Sequence, residues 1–178
     1  MAVGPAVRAE VEAHPLVVAV YEDRRRRLLT ESSLAYMGAG EWHAQGFVGD
    51  GTSVAVLDTG IRFWNGAFGT CEEPGAPGCR VGVFEGFATL QSGEGETDPV
   101  FVAEQESHGT NVGGIVAAVT PGTSLLSLGV FAYYYPGQGS GPRGGTEARD
   151  VDIARALDWV IEHREEHNIV AANMSLGS

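Results

Sequence analysis

Between Ser53 and Asp58 the chain reads SVAVLD, apolar on both faces and rich in β-branched residues, which predicts a short central strand of a parallel sheet. CRVGVFEGF predicts a second short strand and SLLSLGVFAYYY a third. HGTNVGGIVAAV sets Val112, Ile115, Val116 and Val119 at helical spacing, and Pro121-Gly122 stops that helix. DVDIARALDWVIEHREEH puts Ile153, Ala156, Leu157, Val160 and Ile161 on one face of an amphipathic helix that Asp150 or Asp152 can cap. NIVAANMSLG reads as a last strand. The polar stretch from Thr89 to Ser107 is expected to be a long surface loop, and PGQGSGPRGG a glycine-rich loop. Strand, helix, strand, helix, strand is the order of an α/β fold: right-handed crossovers and a parallel sheet flanked by helices.

The first 40 residues are patterned differently. Val7, Val11 and His14 share a helical face, and PLVVAVYEDR reads as a strand begun by Pro15. Arg24 to Arg27 follow, read as the solvated part of a strand and linker rather than a processing site. The linker leads to a short helix around Trp42 and Gln45, and Gly49, Asp50 and Gly51 make the turn into SVAVLD.

Charge strengthens that division. Residues 1–40 hold five arginines and five acids, whereas residues 41–178 hold six arginines and eighteen acids, which gives the entire net charge of −12. So acidic a chain is not expected to bind nucleic acid, which requires a basic face. No run approaches the roughly 20 apolar residues of a membrane span, so no membrane partner is expected. The start, AVGPAVRAEVEAHP, lacks the basic and apolar regions of a secretory signal. Cys71 and Cys79 bracket a loop with two prolines and two glycines, which favours a disulfide and an oxidising compartment.

The candidate chemistry begins where the central strand ends, at Asp58-Thr59-Gly60. An aspartate in that setting has two established uses. It can share a proton with a second aspartate, here from a second copy of the chain, or it can orient a histidine that serves as a base. The histidine is His108, where a polar stretch enters a glycine-bearing helix: Gly109 permits close backbone approach and Gly113-Gly114 close helix packing. Both residues fall at the C-terminal edge of the expected sheet, where parallel sheets collect ligand and catalytic groups. The alternating helices weigh against the carboxylate pair, which resides in all-β folds.

VAVLDTGI, then HGTNVGGIVAAVTPGTSLLSLGVF, then NMSLGS together resemble the subtilisin-like serine proteases over most of residues 40–178. The resemblance implies a three-layer α/β catalytic domain over residues 34–178, incomplete at its C-terminus. It implies that residues 1–33 are a small α+β remnant, the end of an inhibitory propeptide that acts on its own enzyme. Asp58 would be the orienting acid and His108 the general base. Ser175, Leu176 and Gly177 would clamp an extended polypeptide substrate, with Gly144 and Gly145 near the opposing substrate strand. Tyr133, Tyr134 and Tyr135 would form a strand end and cleft wall. Asn111 stands where the family often has a second histidine, and Asn173 is read as structural.

Nothing in these residues matches the family's serine motif or its oxyanion asparagine, so the 178-residue chain is expected to be inactive within a secreted parent endopeptidase. The chemistry needs no cofactor and no metal. Structural calcium is the alternative use of Glu94, Glu96, Asp98, Glu104 and Glu106, but their spacing matches no calcium loop and a solvated acidic loop is expected. A non-catalytic peptide-binding domain of the same fold, and the dimeric aspartic protease, stand as the alternative functions.

Overall fold

The computed structural model describes residues 7, 11, 13–17, 34–90, 93–138 and 143–177. Its centre is β1 (Ser53–Asp58), in which all six residues are buried. On one side β1 pairs with β4 (Ser124–Gly129), in register from Ser53 opposite Ser124 to Asp58 opposite Gly129. On the other side lies β7 (Ile169–Asn173), and β2 (Val81–Gly86) flanks β4. All three pairings are parallel, giving the order β2-β4-β1-β7.

Alternation along β1 separates two hydrophobic layers. Ala55 and Leu57 join Leu126, Leu128, Val130 and Ile169 against Ala156 of the helix Asp150–Glu162. Val56 points the other way, to Ile61, Phe68, Val81, Leu125 and Ala117 of the helix His108–Val119. A strand buried on both faces has no polar alternation, which is why Val54 to Leu57 are all apolar. The result is the expected α/β sheet between helices. A shorter helix, α1 (Ala39–Ala44), precedes it, with Gln45 as its C-cap. Left-handed Gly49 and Gly51 carry the chain into β1.

Four expectations are corrected. The stretch from Thr89 to Ser107 is not one loop: it contains the short strand β3 (Gly95–Glu96) and the helix α2 (Pro99–Gln105). One Asp98 carboxylate oxygen accepts from the Val100 and Phe101 amides at 2.8 and 3.1 Å, Pro99 opens the helix, and Val102 and Ala103 are fully buried. The apolar run SLLSLGVFAYYY is two strands, not one. It leaves the parallel sheet at Val130, whose amide donates to the Asp58 carbonyl at 3.0 Å, and continues as β5 (Phe131–Tyr134). Among the described residues β5 lies between β3 and β6 (Gly145–Ala148) in a second, antiparallel sheet.

The third correction concerns α3 (His108–Val119). Its closest face is Gly109, Gly113 and Ala117, with Val112 and Val116 half-buried and Ile115 55% exposed. The close packing expected at Gly113-Gly114 holds at Gly113, where a Cβ would lie 2.8 Å from the Ile61 Cδ1, but not at Gly114, where a Cβ would meet open space. The fourth concerns α4 (Asp150–Glu162). Ile161 is 72% exposed, and neither acid caps the helix, whose N-cap is Arg149 without a side-chain bond. Asp152 is instead buried, and its carboxylate accepts from the Thr89 amide at 2.9 Å and from the Thr89 hydroxyl at 2.9 and 3.0 Å.

Cys71 and Cys79 form a disulfide as expected. Near the N-terminus Val7 and Val11 are helical, and residues 13–16 form turns. The strand expected from Pro15 and the arginine run Arg24 to Arg27 lie largely outside the described residues.

Two stability tests follow from these contacts. Asp152→Ala leaves the Thr89 donors without their buried acceptor and is expected to cost about 1–3 kcal/mol in urea denaturation. Asp158→Ala, on the exposed side of the same helix, should stay within about 0.5 kcal/mol of the parent. Replacing Cys71 and Cys79 together by serine opens a short loop and should cost about 2.5 kcal/mol by the same measurement.

Candidate functional site

Asp58 is the last residue of β1, so the sheet delivers its carboxylate to the C-terminal edge while keeping it fully buried. The Thr59 amide donates to Oδ1 at 2.7 Å. His108 opens α3, and its Nδ1 lies 2.8 Å from Asp58 Oδ1 and 3.0 Å from Oδ2. An ionised carboxylate only accepts hydrogen bonds, so Nδ1 carries the shared proton and Nε2 of the neutral ring keeps its lone pair. The His108 side chain is 51% exposed against 1% for Asp58, so one edge of the ring is anchored and the other open.

The backbone makes this approach feasible. The Gly109 amide donates to the Thr59 hydroxyl at 3.0 Å. A Cβ at Gly109 would fall 2.6 Å from the Gly60 carbonyl oxygen and 3.1 Å from Asp58 Oδ1, so any side chain would push α3 off the turn. Gly60 itself has φ +102°, with Ala103 of α2 packed beside it. Further links fasten the turn: the Ile61 amide donates to the Ser127 hydroxyl at 2.9 Å, and the Arg62 amide to the Thr110 hydroxyl at 3.0 Å. Arg62 then reaches the Ala103 and Glu104 carbonyls at the end of α2.

The open edge of His108 faces a cleft of about 330 Å³ that Thr59, Glu106, Phe131, Thr146, Ser175, Leu176 and Gly177 also line. Of the residues singled out in the sequence, Asp58 and His108 are thus in contact, and Ser175, Leu176 and Gly177 lie beside them. Gly144 and Gly145 sit at the turn into β6, with Gly145 opposite Tyr134, and the cleft wall on that side begins at Thr146. A Cβ on Gly144 would lie 2.5 Å from the Tyr134 carbonyl oxygen, so this glycine serves the turn.

Thr146, Phe131 and Glu106 were not legible as cleft residues. The first two depend on how β5 and β6 pair, a non-local fact. Glu106 carried only the signal of an acid two residues before the histidine; its Oε1 accepts from the His108 amide at 3.2 Å.

Two of the neighbouring acids, Asp98 and Glu96, are engaged in local bonds. Asp98 caps α2, and Glu96 accepts from the Tyr135 hydroxyl at 3.4 Å. Desolvation and the Glu96 charge push the Tyr135 phenol above its ordinary value, so it remains a donor at neutral pH. Among the described residues no group of three or more His, Cys, Asp or Glu side chains is placed to hold a metal ion, and no helix is long and apolar enough to cross a membrane. A carboxylate pair across two copies of the chain does not fit this geometry, because Asp58 is fully buried and both its oxygens face His108.

The subtilase family model matches residues 49–178. Among curated relatives, the alkaline protease of Shouchella clausii is 28% identical over 171 residues, covering 94% of this chain and 38% of that protein. Subtilisin Savinase of Lederbergia lenta is 30% identical over 136 residues, covering 76% of this chain and 41% of that protein. The chain thus spans about two fifths of the length of the curated relatives it matches. The family match covers β1, α3 and β7 together with the residues that join Asp58 to His108, and on these grounds the chain belongs to the subtilase family.

Proposed function

We propose that this chain supplies the acid and the base of a serine-peptidase centre. The observation that carries the reading is the contact of both Asp58 oxygens with Nδ1 of His108, on a ring whose opposite edge opens on a cleft. A serine hydroxyl brought to Nε2 loses its proton to the ring as its oxygen bonds to the carbonyl carbon of a peptide. The ring passes that proton to the departing amine, and water then releases the acyl group from the serine oxygen. Asp58 keeps the imidazole in the tautomer this requires and stabilises the imidazolium that forms.

Among the described residues no hydroxyl bonds the His108 Nε2; the Ser175 hydroxyl donates instead to Asn173 Oδ1 at 2.9 Å. We assign the nucleophile and an oxyanion asparagine to polypeptide following residue 178 in a longer protein. The substrate is an extended polypeptide that adds a strand between β6 and the segment from Ser175 to Gly177. β6 is the outer strand of its sheet among the described residues and Gly177 lines the same cleft, which supports this placement. The longer protein is read as a secreted endopeptidase, with residues 1–33 the end of a propeptide that inhibits its own enzyme.

A fluorophosphonate probe tests the assignment. The 178-residue chain should not be labelled at any serine. A longer polypeptide carrying the downstream serine should be labelled, and His108→Ala should slow peptide hydrolysis by on the order of 10⁴-fold or more. A labelled serine within the 178-residue chain, or a longer form indifferent to His108→Ala, would contradict the reading.

A further inference from the structure

The joint between α2 and α3 consists of Glu106 and Ser107. Glu106 is the C-cap of α2, its amide donating to the Val102 carbonyl at 2.9 Å, and Ser107 is the N-cap of α3. A helix start leaves its first amides without intrahelical partners, and a serine at the N-cap ordinarily answers one of them. Ser107 makes no such bond. Two other side chains take its place. The Gly109 amide donates to the Thr59 hydroxyl at 3.0 Å, and the His108 amide donates to Glu106 Oε1 at 3.2 Å.

The end of α2 that carries Glu106 is itself fixed. Val102 and Ala103 are fully buried, and Ala103 packs beside Gly60 of the Asp58 turn. From that same turn the Arg62 guanidinium donates to the Ala103 carbonyl at 2.6 Å and to the Glu104 carbonyl at 2.8 Å. The acid is thus tied to the base by a route other than the ring contact. It runs from the Asp58 turn through Arg62 to the end of α2, and through Glu106 to the main chain of His108.

This route serves a need that the ring contact alone does not meet. His108 is the first residue of α3, where helices fray, and half of its side chain is open to solvent. A base that takes up a proton and passes it on must hold its place through both steps, because small displacements of a reacting group are costly. A bond to its amide is independent of the charge on the ring. We infer that Glu106 is a positioning residue for the base: its carboxylate holds the His108 amide, and so fixes the first turn of α3 with the imidazole against Asp58. The inference rests on the reading of His108 as the base and adds a residue that acts through it.

Glu106 also lines the cleft, so the test separates positioning from contact with substrate. The first readout is the downfield Nδ1 proton of His108, followed by NMR on the ¹⁵N-histidine-labelled 178-residue chain. Glu106→Ala should move that resonance upfield and broaden it, whereas Glu106→Gln, which keeps an acceptor, should leave it in place. A residue that contributed only stability would leave the resonance of the folded molecules unmoved in both variants. The second readout is kinetic, in the longer polypeptide carrying the downstream serine. There Glu106→Ala should lower kcat on the order of tenfold with KM held within about twofold, and Glu106→Gln should recover most of the loss. A third needs no variant and so covers misfolding of Glu106→Ala: in the unsubstituted chain the His108 amide should exchange with solvent about tenfold or more slowly than in an unstructured chain. An unprotected His108 amide, a Nδ1 resonance that Glu106→Ala leaves in place, or a rise in KM at unchanged kcat overturns the positioning role and leaves the proposed acid and base intact. Absence of the downfield proton from the unsubstituted chain overturns both.

Discussion

A carboxylate that no water can reach must be answered by donors from the protein itself. Desolvating such a charge costs several kcal/mol, and the cost is recovered only where the hydrogen-bond geometry is good. At Asp58 the answering donors are the Thr59 amide and the His108 ring. Both must lie within 3 Å of the end of a strand walled in on either side by β4 and β7. Much of the surrounding architecture meets that requirement. Gly60 and Gly109 remove side chains where the turn and α3 meet, and Gly113 lets the helix settle on Ile61. Thr59, Ser127 and Thr110 tie the same turn to its neighbours through their hydroxyls.

The parallel sheet and the small antiparallel sheet divide the work. The first is rigid and buried, and fixes the acid and the base. The second departs from it at Val130, still anchored to the Asp58 carbonyl, and carries β6 alongside the Ser175 to Gly177 segment. The cleft is the space between the two. Its position relative to His108 is therefore set by a single strand that changes sheets, and a substrate lying there is presented to the open edge of the imidazole.

The acid and the base were legible in sequence because their constraints are local. A two-face apolar strand ending in Asp-Thr-Gly, and a histidine leading a glycine-bearing helix, each state their own geometry, and the family resemblance joins them. What escaped was either non-local or outvoted. Asp98-Pro99 is a sound helix start, but the density of acids around it suggested solvent, and the burial of Val102 and Ala103 depends on where α2 packs. The division of SLLSLGVFAYYY has no breaker in it, since Val130 is as apolar as its neighbours; only the pairing partners of β5 reveal it. On α3 the contact face consists of small residues, so counting large apolar side chains pointed to Ile115, which is exposed. Asp152 was read as a cap because its buried partner, Thr89, lies 63 residues away.

The most direct test of the central contact is the protonation pattern of the His108 ring, read by NMR on ¹⁵N-histidine-labelled protein at a pH where the ring is neutral. The account predicts a proton on Nδ1, shifted downfield by its bond to the Asp58 carboxylate, a bare Nε2, and loss of that downfield signal in Asp58→Ala. A ring protonated on Nε2, or a Nδ1 resonance that Asp58→Ala leaves unmoved, would contradict it.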